Sequence, residues 1–140
     1  MLLNAGCPLE KLGKKEYDRL IKGNALFKRR LGEKYEKLAA RHLQRNGLSL
    51  VDRNFHGTFG EIDLIMLDGS EWVFVEVKYR SQDTFGGAIA ALTHQKLLKV
   101  HKTAEQYLMK QNLNSNLVSY RIDLVAIDGS HIQWIRAVDY

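Results

Sequence analysis

The sequence predicts an α/β domain with a mixed β-sheet, on three observations. Apolar residues recur at helical spacing in two stretches, 27–46 and 93–111. Five runs read as strands, and four of them form two pairs joined at an Asp-Gly dipeptide, a strong short-range hairpin signal. The order is helix, strands, helix, strands, which suits a sheet flanked by helices.

The first helix carries a stripe of Leu31, Tyr35, Leu38, Ala39 and His42, and Asn46-Gly47 supplies an ordinary C-terminal stop. Residues 48–51 follow as a short strand, and 53–60 read as a loop or strand edge punctuated by Gly57 and Gly60. Strands over 61–67 and 72–79 flank Asp68-Gly69-Ser70-Glu71. Residues 81–87 form a loop. The second helix turns Leu97, Val100, His101, Ala104 and Leu108 inward. Residues 112–116 break it, and strands over 120–127 and 132–138 surround Asp128-Gly129.

The 140 residues suit one domain, and 45% apolar content is enough for a core. No apolar run approaches the roughly 18 residues that a membrane span needs. The start is too short and unflanked for a secretory signal, so a cytoplasmic location is the default expectation. Cys7 is the single cysteine, which excludes an intramolecular disulfide and a cysteine-rich zinc site. Net charge is +5, and its placement matters more than its size. Residues 1–30 hold eight basic residues against three acids, whereas the remaining 110 hold 13 of each. The division expected is a basic extension, 1–26, with a possible short helix over 9–21, and a domain over 27–140. A basic arm suits a polyanion, though a solvated extension is the equal alternative.

The chemistry-bearing residues lie on the first hairpin. Side chains alternate across a strand, so Glu61, Asp63, Ile65 and Leu67 share a face, as do Trp72, Phe74, Glu76, Lys78 and Arg80. With Gly69-Ser70 as a two-residue loop, Asp63 lies directly opposite Glu76. With Asp68-Gly69 the two are diagonal neighbours. Both registers put them on one face, roughly 5–8 Å apart at Cβ; a three-residue loop would not. The strand around Glu76 is apolar on both faces and reads as central. A buried glutamate facing an aspartate is unfavourable, because burial and like charge both oppose ionisation. A divalent cation reverses that sign. Two carboxylates with a backbone carbonyl and waters make an ordinary oxygen site for Mg²⁺. Lys78, two residues on, can steer the attacking water while the metal stabilises charge developing on a phosphate. The common alternative is a surface salt-bridge ladder.

Glu36 completes the candidate set. On a helical wheel it shares a row with Gly32, Ala39, Ala40 and Leu43, opposite Glu33, Lys34, Lys37, Arg41 and Arg45. Small residues let a helix approach a neighbour closely, so Glu36 is the inward acid and Glu33 the surface one.

At these residues the chain resembles a known pattern. Gly60-Glu61-Ile62-Asp63-Leu64-Ile65, a turn, then Val73-Phe74-Val75-Glu76-Val77-Lys78-Tyr79-Arg80 is similar to the PD-(D/E)xK nuclease signature. More narrowly, the chain resembles the YraN-like family of bacterial proteins over about residues 31–138, including Gly32, Glu36, Ala39, Arg53-Asn54, Lys96 and Arg121-Ile122-Asp123. The resemblance implies a restriction-endonuclease-like fold, a central mixed β-sheet flanked by α-helices. It implies Asp63 and Glu76 as metal ligands, Lys78 as the catalytic lysine, and Glu36 as the helix-borne acid of the resolvase-like branch. The wider signature's proline before the aspartate is absent, with Ile62 in its place.

Around this set, Arg53, Asn54, Arg80 and Lys96 are candidates to contact nucleic acid, each with an ordinary capping or surface role as alternative. Lys99 and Lys102 extend the row of lysines on the second helix, usually a solvated face. His42 and His101 read as packed core residues, Asp123 as a buried structural acid, and Trp72 and Trp134 as packing aromatics. There is no phosphate-binding glycine loop, serine elbow or Cys–His pairing. The expectation is a Mg²⁺-dependent endonuclease, with Mn²⁺ able to substitute, acting on DNA that is branched or structured, as a homodimer. The rivals are a non-catalytic nucleic-acid-binding module and a protein-interaction module of the same fold.

Overall fold

The helical spacing of the first stretch becomes α1, Ala25–Arg45, in a computed structural model that describes residues 13–16, 19, 25–80 and 92–139. Its buried residues are Ala39, Ala40 and Leu43, so the contact centres on the small-residue row that also holds Glu36. Leu38 and His42, from the expected stripe, flank it half-buried. Alanines let the helix backbone approach the sheet, and the larger side chains then splay to the sides. Its end is a Schellman motif: Leu48 N–H donates to Leu43 O at 3.1 Å and Gly47 N–H to Gln44 O at 3.1 Å, with Gly47 at φ 97°.

Five strands follow in sheet order β1-β2-β3-β4-β5: β1 Ser49–His56, β2 Glu61–Asp68, β3 Glu71–Arg80, β4 Tyr120–Asp128 and β5 His131–Ile135. All neighbours are antiparallel except β3 and β4, which are parallel and joined through α2, His94–Lys110. The sheet is therefore mixed, as the sequence predicts. Of the two readings open for 53–60, a loop or a strand edge, the structure gives the strand edge through His56, which belongs to β1, and a turn beyond it. β1 is an edge strand with polar residues facing water on both sides, and backbone pairing to β2 carries it where hydrophobic alternation is absent. The last strand is also shorter than 132–138. Ala137 turns through φ 50° and donates its N–H to Asp123 Oδ1 at 3.0 Å, so the ladder with β4 stops at Leu124↔Ile135.

Both hairpins turn on the same tripeptide. Asp68 pairs with Glu71 and Asp128 with His131, leaving Gly69-Ser70 and Gly129-Ser130 as two-residue loops, each glycine at φ 62°. A positive φ in the first loop position is what the glycine supplies.

Alternation along the strands divides the core into two layers. Leu64, Met66, Val73, Val75, Val77, Val125 and Ile127 pack with Ala39, Ala40 and Leu43 of α1. On the other face Ile65, Phe74, Ile122 and Leu124 pack with Leu97, Val100, Ala104, Tyr107 and Leu108 of α2. Tyr107 is outside the expected inner face, yet its ring makes edge contacts with Phe55, Trp72 and Phe74. His101 is half-buried and pairs with the Tyr120 hydroxyl at 3.3 Å. Thr93 caps α2, its Oγ1 accepting from Lys96 N–H at 3.3 Å.

Asp123 is fully buried on β4 and accepts from Arg121 Nε at 3.0 Å, Trp134 Nε1 at 2.9 Å and Ala137 N–H. Arg121 also pairs with Asp68 and Glu71 at 3.0 and 2.7 Å. This acid ties β4 to β5 and, through Arg121, to the β2–β3 turn. Asp123→Ala leaves three donors short of an acceptor, and the expected loss is about 3 kcal/mol of stability, read from urea unfolding.

The chain divides into compact units of residues 1–34 and 35–140, where the sequence suggests a boundary near 26. Apart from Lys14–Glu16, which are helical, the helix suggested over 9–21 falls largely outside the described residues, as does the 81–87 loop. No described helix is long and apolar enough to cross a membrane.

Candidate metal and phosphate site

The site begins where two strands part. β2 and β3 are paired from Asp68↔Glu71 to Leu64↔Val75, and continuing that register sets Asp63 opposite Glu76. There a side chain takes over from the ladder: Asp63 Oδ2 accepts the Val77 N–H at 2.8 Å. The aspartate is thereby fixed against β3 by a backbone donor, with its other oxygen left to serve the site. Because Ile65 and Phe74 lie in the layer under α2, alternation puts Asp63, Glu76 and Lys78 on that same side.

Glu76 is 6% exposed, and Lys78 Nζ lies 3.5 Å from its Oε2. Burial, then the charge of Asp63, pushes the Glu76 carboxyl up to about 7. Burial also raises Asp63, partly offset by the Val77 N–H and by Lys78. Lys96, from the first turn of α2, reaches Lys78, whose ammonium donates to the Lys96 amine. Burial pulls Lys78 down, but Lys96 and the two carboxylates outweigh it, and the ammonium is held above its ordinary value. Lys96 is lowered by that hydrogen bond and by burial. Of the two amines, Lys78 therefore keeps its proton more firmly, since it stands nearer the acids.

The cluster is thus two acids and two lysines drawn from β2, β3 and α2. Lys96, expected as a nucleic-acid contact, lies beside the catalytic candidates. The signal was available: α2 connects parallel strands, so it starts from the end of β3 that carries Lys78, and crossover ends of this kind gather ligand-binding residues.

Glu36 does not join them. Its helix covers the opposite sheet face, where Tyr35 stacks on Tyr79 with ring centroids 4.2 Å apart. Among the described residues no three histidine, cysteine, aspartate or glutamate side chains converge to hold a metal ion. The helical wheel identified Glu36 as inward-facing, but inward from α1 is the other side of the sheet from Glu76. Arg53 and Asn54 lie on β1. The pairs Arg53↔Leu64 and Phe55↔Ile62 set Asn54, at φ 52°, beside Asp63 in the register, and both residues are exposed. Arg80 ends β3, and its side chain lies outside the described residues.

The donor set fits a hard cation bound openly. Two facing carboxylates, Glu76 buried and Asp63 held by a backbone N–H, leave most coordination positions to water and substrate oxygens. Mg²⁺ is commonly held in this way, through one or two carboxylates plus phosphate. A closed all-protein cage is not what these residues build.

The profile of the Uncharacterised protein family UPF0102 matches residues 35–127, which include Glu36, Asp63, Glu76, Lys78 and Lys96. The chain belongs to this family. It is similar to a UPF0102 protein of Vibrio campbellii, 47% identical over 111 residues, covering 78% of this chain and 91% of the relative. It is 47% identical over 105 residues to one of Shewanella oneidensis, covering 75% and 94%. A third, from Yersinia pseudotuberculosis, is 44% identical over 110 residues, covering 79% and 94%. UPF0102 membership agrees with the YraN-like resemblance of the hairpin motif, and the α/β architecture with its five-stranded mixed sheet is consistent with a restriction-endonuclease-like fold.

Proposed function

We propose that this UPF0102 domain is a Mg²⁺-dependent endonuclease that hydrolyses DNA phosphodiester bonds, selective for structured DNA in the manner of resolvases. The observation that carries the reading is the Asp63–Glu76 pair, with Glu76 buried and Asp63 half-buried at the parting of β2 and β3 and two lysines against them. A carboxylate pair costs stability in such a place, and a cation is the group that turns the cost into an attraction. When bound, Mg²⁺ supplies Lewis-acid stabilisation of charge on the phosphate.

The side chains divide the work. Asp63 and Glu76 hold the cation. Lys78, kept protonated by both acids, offers a fixed positive charge to a phosphate oxygen and orients the attacking water. Lys96 supports Lys78 and shares the phosphate. Hydrolysis forms one P–O bond to water and breaks one to the leaving sugar oxygen, to which the proton returns through solvent. Glu36 receives no ligand role in this arrangement. Asn54 and Arg53, on the neighbouring strand, contact the backbone of the DNA. A homodimer would present two such sites to paired strands, and sedimentation in the presence of four-way DNA tests for it.

Titration calorimetry with Mg²⁺ on the wild type and Asp63→Asn, with cleavage assays on linear, nicked, flap and four-way DNA, tests the reading. Wild-type binding that Asp63→Asn abolishes, together with metal-dependent cleavage that falls at least 100-fold, is expected. A second reading, a non-catalytic DNA-binding module, is favoured by the lack of a third converging carboxylate among the described residues. It predicts salt-sensitive DNA binding that survives the substitution and needs no metal.

A further inference from the structure

The β1–β2 turn holds an aromatic ring out of the core. Phe59 sits in the turn between His56 and Glu61 and is 48% exposed. A phenylalanine in a flexible loop would fold down onto the nearest apolar surface. Here the turn itself is braced. Gln106 of α2 accepts from Thr58 N–H at 2.8 Å and donates to Thr58 Oγ1 at 2.9 Å, and Gly57 N–H donates to Gly60 O at 2.8 Å. A Cβ at Gly57 would stand 2.5 Å from Gln106 Oε1, so a side chain there would push the glutamine out of its bracing position. The ring is thus presented by a turn clamped to α2.

A lysine stands over the ring. Lys102 Nζ lies 5.2 Å from the Phe59 ring centroid. Lys99 is exposed one turn earlier on the helix, and Lys96 one turn before that reaches the Asp63–Glu76 cluster. From Lys96 to Lys102 the helix rises roughly 9 Å, about two or three nucleotides at the spacing of a stacked strand. The same turn leads through Glu61 directly to Asp63. An exposed aromatic, rigidly held and flanked by lysines that run to a site for phosphate, has the composition of a single-strand stacking platform.

We propose that Phe59 stacks against an unpaired DNA base while Lys99 and Lys102 hold the adjoining phosphates, so that the strand entering the site is single-stranded or locally unpaired. This deepens the nuclease reading and rests on it for its biological meaning. A duplex keeps its base faces covered, and so offers the ring nothing to stack on.

The test measures binding in EDTA, so it is independent of cleavage. Fluorescence anisotropy compares an oligo-dT single strand with a duplex of equal length, for the full-length wild type, Phe59→Ala, Phe59→Leu and Phe59→Trp. Phe59→Leu keeps an apolar side chain at an exposed position and guards against a folding artefact. The expected result is a loss of about tenfold in single-strand affinity for both Ala and Leu, near wild-type affinity for Trp, and duplex affinity unchanged within twofold. Wild-type single-strand affinity in Phe59→Leu, or equal losses on single strand and duplex, overturns the proposal. Mg²⁺ titration of Phe59→Leu separates the two readings. Metal binding should match the wild type; if neither protein binds metal while the single-strand preference still depends on Phe59, the nuclease reading fails and the platform stands.

Discussion

Glu76→Gln is expected to stabilise the metal-free protein above pH 7 and to abolish its response to Mg²⁺. Burial and Asp63 raise the Glu76 carboxyl to about 7, from an ordinary 4.5. Below pH 4.5 the group is protonated in both the folded and unfolded chain, so its burial costs no ionisation. Between 4.5 and 7 the unfolded chain releases the proton and the folded protein keeps it, and stability falls as pH rises. Above 7 the penalty levels off at its full size, a few kcal/mol at most, since one pK unit is about 1.4 kcal/mol. Glutamine has no charge to desolvate. The variant should therefore melt with the wild type near pH 4 and several degrees above it at pH 8, provided both are measured in EDTA.

Added Mg²⁺ should close most of that gap. A ligand at a hundredfold excess over its Kd stabilises by about 2.7 kcal/mol, and only the wild type has the acid pair to receive it. Because the cation must displace a proton from the pair, wild-type affinity should weaken as pH drops below 7. A Glu76→Gln protein no more stable than the wild type at pH 8, or one that still gains stability from Mg²⁺, would show that Glu76 is satisfied by Lys78 alone.

The same physics explains which parts of the molecule were legible in the sequence. The Asp63–Glu76 juxtaposition followed from parity, because either two-residue turn within Asp68-Gly69-Ser70 puts both acids on one face, and the structure takes Gly69-Ser70. Asp123 was readable as structural from an acid in an apolar strand, and the structure supplies three donors for it. Past Val51, β1 was readable only as either a loop or a strand edge, since an edge strand with both faces wet carries no hydrophobic alternation and is held by backbone bonds. Glu36 shows a different limit. A helical wheel tells which way a residue faces relative to its helix, but not which side of a sheet the helix covers. α1 and α2 pack on opposite faces, so an inward acid on one is distant in function from an inward acid on the other. Lys96 stood out from a lysine row that looked like solvated surface only through the family resemblance, and as a nucleic-acid contact. Only the path of the crossover from β3 through α2 brings it to Lys78.

Lys78→Met separates a catalytic site from a salt bridge more sharply than loss of either acid. Methionine keeps most of the side-chain volume at a position packed beside Glu76 and removes the charge. If Lys78 merely neutralises its neighbours, the change should weaken folding and leave any DNA cleavage proportionate to the folded fraction. If it stabilises charge on the reacting phosphate, cleavage should fall by about 100- to 1000-fold while the protein remains folded. Mg²⁺ affinity should then hold or tighten, because a cation beside two carboxylates no longer competes with an ammonium 3.5 Å from one of them. Lys78→Arg should not restore the rate, since a planar guanidinium cannot take the place of a compact ammonium wedged between Glu76 and Lys96. Lys96→Met is the graded comparison. It removes the amine that supports Lys78 but leaves the ammonium and both acids, so a loss of about tenfold is expected. Cleavage by Lys78→Met at the wild-type rate would assign that lysine to the fold, and the two acids would then have to bind and orient the phosphate unaided.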